Sequence, residues 1–283
     1  MNTPALRPVL ATACLAGLGF SSAAAVETEL QKGPDDFIFS AELQNKDYDQ
    51  GSVRNDNVIT RVGATARYWD FGLHVGAAMA VGDDKRQVNK VSTGEITSAK
   101  VGLDYLIEMK GLFQILPHFT WITYPNLPDV PYKDNQTWVG VDGWYMLPWE
   151  GLEIGGGFDY NPFYNATIDK TRGGGGLNDH GLRGAIAARQ FWQHAPLDLA
   201  FYQVLNFGNG TYKKFVIGER ETGFTTLDLG VKYTAPFFLN EFWVVSRFEV
   251  HVWVEGDDRK SLKNAGESTS EVVLGIGFEW RPE

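Results

Sequence analysis

The chain closes on EVVLGIGFEW, residues 271 to 280, with only Arg281, Pro282 and Glu283 after it. Successive side chains of a strand point to opposite faces. Val272, Leu274, Ile276, Phe278 and Trp280 therefore share one face, and Val273, Gly275, Gly277 and Glu279 share the other. In a soluble sandwich the larger apolar row would turn inward to a core. Here the facing row is small and ends on a charge, and the stretch has the length that a tilted strand needs to cross a bilayer. The expectation is that the apolar row faces lipid.

The same alternation runs through the chain after residue 26, in about twelve segments of roughly ten residues, with no convincing helical periodicity between them. Over 58–68 the apolar row is Val58, Val62, Ala64, Ala66 and Tyr68, against Arg61, Gly63, Thr65 and Arg67. Over 71–81 it is Phe71, Leu73, Val75, Ala77, Met79 and Val81, against Gly72, His74, Gly76, Ala78 and Ala80. Over 99–109 Ala99, Val101, Leu103, Tyr105, Ile107 and Met109 oppose Lys100, Gly102, Asp104 and Glu108. Over 242–254 Phe242, Val244, Phe248, Val250, Val252 and Val254 oppose Arg247, Glu249 and His251.

The connections alternate in length. Short turns at Asp70, Lys110-Gly111, Pro148 to Gly151, Gln193 to Pro196 and Ala235 to Asn240 alternate with long polar stretches at 45–56, 82–96, 125–136, 161–180, 208–222 and 256–269. Both sets are rich in Gly, Pro, Asn and Asp, the turn formers. Short turns on one side and long loops on the other are the pattern of an antiparallel up-and-down transmembrane barrel. Near the short turns lie Tyr68, Trp69, Phe71, Tyr145, Trp149, Phe191, Trp192, Tyr233, Phe237, Phe238, Trp243 and Trp280. Such rings favour the membrane–water interface.

Bulk numbers agree with this reading. Mean hydropathy is −0.22, which an alternating strand averages to, and the chain carries 32 glycines and nine tryptophans. A net charge of −10 argues against a nucleic-acid partner, which calls for a basic face. At the N-terminus Arg7, the apolar run Val9 to Phe20 and Ala23-Ala24-Ala25 read as an export signal cleaved after Ala25. The apolar run is too short for a helical span. The expected organisation is a signal peptide over 1–25, a periplasmic segment over 26–36 and the barrel over 37–283. Cleavage would remove Cys14, the single cysteine.

Facing residues of a hairpin have a constant sum of residue numbers, so registers can be tested for charge complementarity. One register sets Asp159 opposite Arg183 and Glu153 opposite Arg189. Another sets Asp104 opposite His118 and Glu108 opposite Gln114. The turn at Trp69-Asp70 sets Arg67 opposite Gly72 and Arg61 opposite Ala78. The turn at 148–151 sets Trp144 opposite Gly155 and Asp142 opposite Gly157. Across the last short turn, Asp228 is expected to face Arg247.

The chain thus resembles bacterial outer-membrane β-barrels of the small, monomeric, porin or channel type with about twelve strands, over essentially its whole exported length. Gly275, Phe278 and Trp280 match the C-terminal signal that the barrel-assembly machinery reads in such proteins. Val273 departs from it, and so do the three residues after Trp280. The resemblance implies the bacterial outer membrane, its lipid and the assembly machinery as partners.

Function has to be read from the inward rows. Twelve strands at about 4.8 Å spacing and about 40° tilt give a backbone radius on the order of 12 Å. Side chains would leave a narrow passage for small polar solutes. The expected pore-lining residues are Arg61, Arg67, Lys100, Asp104, Asp142, Glu153, Asp159, Arg183, Arg189, Asp228, Arg247 and Glu249. Trp144, Tyr202 and Trp253 offer aromatic faces to a solute, or else fill space opposite glycine. The alternatives are a sealed structural or adhesive barrel and a lipid-modifying barrel enzyme. An enzyme needs a nucleophile, a base and an orienting group within reach. Ser246 and His251 fall on opposite rows, and His180 and His194 fall in a loop and a turn, so no catalytic residues are assigned. Asp83-Asp84 and Asp257-Asp258 lack the spaced oxygen ligands of a calcium site, and the glycines at 173–176 lack the Lys-Ser/Thr of a phosphate loop. Neither a metal nor a cofactor is expected.

Overall fold

The computed structural model describes residues 35–49, 52–55, 58–82, 92–109, 112–125, 136–149, 151–162, 180–194, 197–209, 222–238, 241–264 and 268–282. The export signal and most of the 26–36 segment lie outside these residues, as do Asp83-Asp84 and the glycines at 173–176.

Among the described residues fifteen strands follow one another. They are β1 (Asp35–Gln44), β2 (Asp47–Asp49), β3 (Ser52–Asn55), β4 (Ile59–Tyr68), β5 (Phe71–Ala80), β6 (Ile96–Tyr105), β7 (Ile107–Met109) and β8 (Phe113–Thr123). The remainder are β9 (Gln136–Met146), β10 (Leu152–Asn161), β11 (Gly181–His194), β12 (Leu197–Gly208), β13 (Gly223–Phe238), β14 (Phe242–Trp253) and β15 (Ser270–Trp280). The short hairpin β2–β3 sits in the first long loop. β6 and β7 are two parts of one stave, broken at Leu106. β1 pairs antiparallel with β4, past the hairpin, and with β15; β6 and β7 both pair with β8, and the remaining strands pair antiparallel with the next in sequence. The result is a closed antiparallel barrel of 12 strands. Closure removes the sheet edges, so every strand finds its backbone partners, which a bilayer core demands.

Burial follows the two rows. On β15, Val272, Leu274, Ile276 and Phe278 are exposed, whereas Val273 and Glu279 are buried at 2% and 3%. On β5, Phe71, Leu73, Val75 and Met79 are exposed while Ala78 and Ala80 are buried. The protein is thus inside out, with its large apolar side chains on the outer wall. Trp69, Trp149 and Phe237 project at the short turns, each about two-thirds exposed or more, at 66%, 66% and 77%. An outer groove of about 740 Å³, lined in part by Phe37, Leu73, Leu103 and Phe119, lies beside Pro117. Pro117 has no N–H to donate, and the β6–β8 ladder is interrupted there, between Asp104↔His118 and Ile107↔Ile115.

Two differences from the sequence reading have local causes. The sequence predicts a long polar loop over 256–269, yet Gly256–Asn264 forms a helix, α1. Nine residues are too few for a clear apolar period. Its signal is charge: Asp257 and Asp258 in the first turn and Lys263 in the last complement the helix dipole. The second difference is the last hairpin. Asp228 faces His251, and Arg247 faces Lys232. β13 runs through Pro236 to Phe238, with a register shift between them, so the turn lies later than the Ala235–Asn240 bracket centres it. The other proposed pairs occur as expected: Asp159↔Arg183, Glu153↔Arg189, Asp104↔His118, Glu108↔Gln114, Arg67↔Gly72, Arg61↔Ala78, Trp144↔Gly155 and Asp142↔Gly157.

Candidate functional site: the inner wall

The inner rows of β4 to β11 join into one line along the hydrogen-bonding direction. It reads Arg67, Gly72, Asp104, His118, Gly140, Asp159, Arg183. Each glycine leaves a gap that the residues on either side close. Arg67 donates from Nη2 to Asp104 Oδ1 at 2.7 Å over Gly72, where a Cβ would lie 2.6 Å from Asp104 Oδ2. His118 Nε2 meets Asp159 Oδ1 at 2.6 Å over Gly140, where a Cβ would lie 2.5 Å from that nitrogen. Arg183 Nε donates to Asp159 Oδ2 at 2.9 Å. His74 adds a second partner for Asp104. Asp142 lies 3.6 Å from the other ring nitrogen of His118. Charges taken from water need this full pairing, because a lone buried charge costs several kcal/mol, roughly 3–5 when one partner is lost.

A second group sits on β12 to β15 and β1. Glu249 accepts from the Tyr202 hydroxyl over Gly230 and lies 3.3 Å from both Arg247 Nη1 and His251 Nε2. Asp228 accepts from Asn206 at 2.7 Å and lies 2.9 Å from His251 Nδ1. Arg247 reaches Glu42 at 3.5 Å. Lys232 donates to Glu279 at 3.1 Å, and Arg281, stacked on Trp243 at 4.8 Å, bonds the same carboxylate.

Within the first group β9, β10 and β11 repeat one arrangement at two heights, six residues apart on each strand. At one height Arg183 holds Asp159 and lies 3.7 Å above the Trp138 ring. At the other Arg189 holds Glu153 at 2.5 Å and lies 3.6 Å above Trp144. Guanidinium stacked on indole in a desolvated setting is worth about 2 kcal/mol. Trp144 also packs with Leu106, Leu116, Ala185, Ala187, Tyr202 and Val204 in one buried apolar cluster.

Of the aromatic candidates, Trp144 lies between Gly155, where a Cβ would come within 2.5 Å of its ring, and Gln114, and Arg189 stacks on it. Tyr202 lies over Gly230 and is bonded to Glu249. Trp253 is 3% exposed and faces Thr226. Arg61 faces Glu42 and Ala78, and Lys100 faces Gly76 and Ile122. Ser246 pairs with the lipid-side Ile276 while His251 points inward, so the two lie on opposite faces.

The three inward histidines, His74, His118 and His251, were not assigned as site residues from sequence. His118 was paired with Asp104 by register alone. The bridges across glycine that give it Asp159 depend on neighbours joined by long loops, and a long loop does not fix register.

No protein-family model matches the chain, and no curated protein matches it by sequence. Solved structures do match by fold. The NanC porin is 10% identical, with 87% of this chain and 98% of that one aligned at a TM-score of 0.52. An outer-membrane channel from Pseudomonas putida F1 is 12% identical over 88% and 96% of the two chains, with a TM-score of 0.45. The translocator domain of the autotransporter NalP from Neisseria meningitidis is 10% identical over 90% of each, with a TM-score of 0.48. At such identities the likeness is one of architecture: the chain has the fold of an outer-membrane β-barrel.

Proposed function

We propose that the chain is a porin-like channel of the bacterial outer membrane, passing small polar solutes passively and with weak charge preference. The observation that carries this reading is the inner wall. A closed barrel with a lipid-compatible exterior devotes its interior to charged and polar groups of both signs, including Arg61, Arg67, Lys100, Arg183, Arg189 and Arg247 among cations and Asp104, Asp142, Glu153, Asp159, Asp228 and Glu249 among carboxylates. A barrel that only needed filling would use apolar side chains, which carry no desolvation cost. The fold shared with the NanC porin supports the same reading.

Export by the 1–25 signal and insertion by the assembly machinery, through Gly275, Phe278 and Trp280 of β15, complete the proposal. Single-channel recording of the refolded protein in a planar bilayer tests it. Discrete, stable openings are expected. A folded barrel, verified by its heat-dependent gel mobility, that stays silent overturns the channel reading. The packed cluster around Trp144 would then favour a sealed scaffold.

A further inference from the structure

The two sides of the lumen are unlike. Across β9, β10, β11 and β12 one inner line reads Met146, Glu153, Arg189, Tyr202, and the next reads Trp144, Gly155, Ala187, Val204. Their large members are stacked or interlocked. Across β15, β1, β4, β5 and β6 one inner line reads Glu279, Ser40, Gly63, Gly76, Lys100, and the next reads Gly277, Glu42, Arg61, Ala78, Ser98. Most of these residues are too short to reach inward. Beside them lies a void of about 30 Å³, lined by Ser40, Glu42, Arg61, Gly63, Val245 and Gly277 among others.

We infer that the passage is a slot running along β15, β1, β4 and β5, off the barrel axis, and that it admits water, inorganic ions and solutes of a few heavy atoms. This rests on the channel reading above and deepens it. A void of that size holds about one or two waters, which matches small hydrated solutes rather than a sugar ring. Glu42 and Arg61 face each other in register at the void, and the opposite signs at one level leave neither cations nor anions strongly favoured. The filled side is consistent with a slot off the axis: Arg183 and Arg189 lie on Trp138 and Trp144, so the large inward side chains of that wall are packed on one another.

The test uses the full chain with Cys14, its single cysteine, replaced by Ser. Ser40→Cys places a thiol in the slot, and Ala187→Cys places one in the filled side. Both are small changes that a folded barrel tolerates, and gel mobility verifies this. On adding a charged methanethiosulfonate reagent during recording, the Ser40→Cys current is expected to fall by half or more, and the Ala187→Cys current to change by less than about a tenth. Liposomes carrying the unmodified protein are expected to swell in urea and not in a disaccharide. Block at Ala187→Cys, absence of block at Ser40→Cys, or disaccharide swelling as fast as urea swelling each overturns the slot while leaving the channel intact. Absence of any current from the unmodified protein overturns both.

Discussion

The wall built by β8 to β12 and the wall built by β15, β1, β4 and β5 use the same backbone and the same outer surface, yet differ inside. The first spends its inward positions on Trp138, Trp144, Arg183, Arg189 and Tyr202, fixed by stacking and ion pairs. The second spends the positions beside the void on Ser40, Gly63, Gly76, Ala78 and Gly277, with Glu42 and Arg61 between, and is braced only nearer the short turn, where Arg67 and His74 hold Asp104. The difference teaches that a small barrel need not choose between a filled interior and an open one. It can brace one side rigidly and leave the other thin.

The largest effect should come from breaking a brace. Asp159→Ala removes the carboxylate shared by His118 and Arg183 and leaves two buried groups without it. A loss of about 3–5 kcal/mol is expected, read as the shift in the urea midpoint of the folded barrel in detergent or lipid. An unchanged midpoint would mean that this wall is not braced through its charges.

The next test asks whether the contrast is confined to the inside. Ile276 on β15 and Val139 on β9 lie on the lipid side of the thin and the filled wall, at 59% and 51% exposure. Arginine at either position should cost a similar amount, about 2–4 kcal/mol if near the bilayer midplane, measured by reversible unfolding in lipid vesicles. A cost at only one of them would place that wall away from lipid.

A smaller effect concerns the fit between glycine and indole. Gly155→Val would drive its Cβ against the Trp144 ring, at a cost of about 1–3 kcal/mol for overpacking. In the Trp144→Ala background the same change should cost less, and this double-mutant cycle isolates the contact. Equal costs in both backgrounds would show that the glycine is not there to seat the ring.

The smallest effect is expected for Arg189→Lys. The charge toward Glu153 is kept, and the flat stack on Trp144 is lost. About 1–2 kcal/mol is expected from loss of the stacked guanidinium, read as a shift in the same urea midpoint, with conductance unchanged.

Much of this was legible in the sequence because a lipid-facing strand keeps strict alternation and a short turn fixes register. Asp104↔His118 followed from charge complementarity across a tight turn, and Asp159↔Arg183 from the one residue-number sum that also pairs Glu153 with Arg189 across the long 161–180 stretch. Asp228 was set opposite Arg247 in error, because Pro236 lies within β13 and moves the turn along the chain. The bridges over Gly72 and Gly140 were beyond reach for another reason. They link three strands, and one of the two joints in each is a long loop whose length says nothing about pairing. α1 escaped because a nine-residue polar helix has no periodicity to read. The unequal filling of the two walls needed both kinds of register at once.

A conducting lumen lined by both signs of charge is tested most directly by the reversal potential of the unmodified protein across a tenfold potassium chloride gradient. Discrete openings with a reversal potential well below the single-ion limit of about 59 mV are the expected result. No current from a demonstrably folded barrel, or a potential at that limit, would contradict a weakly selective channel.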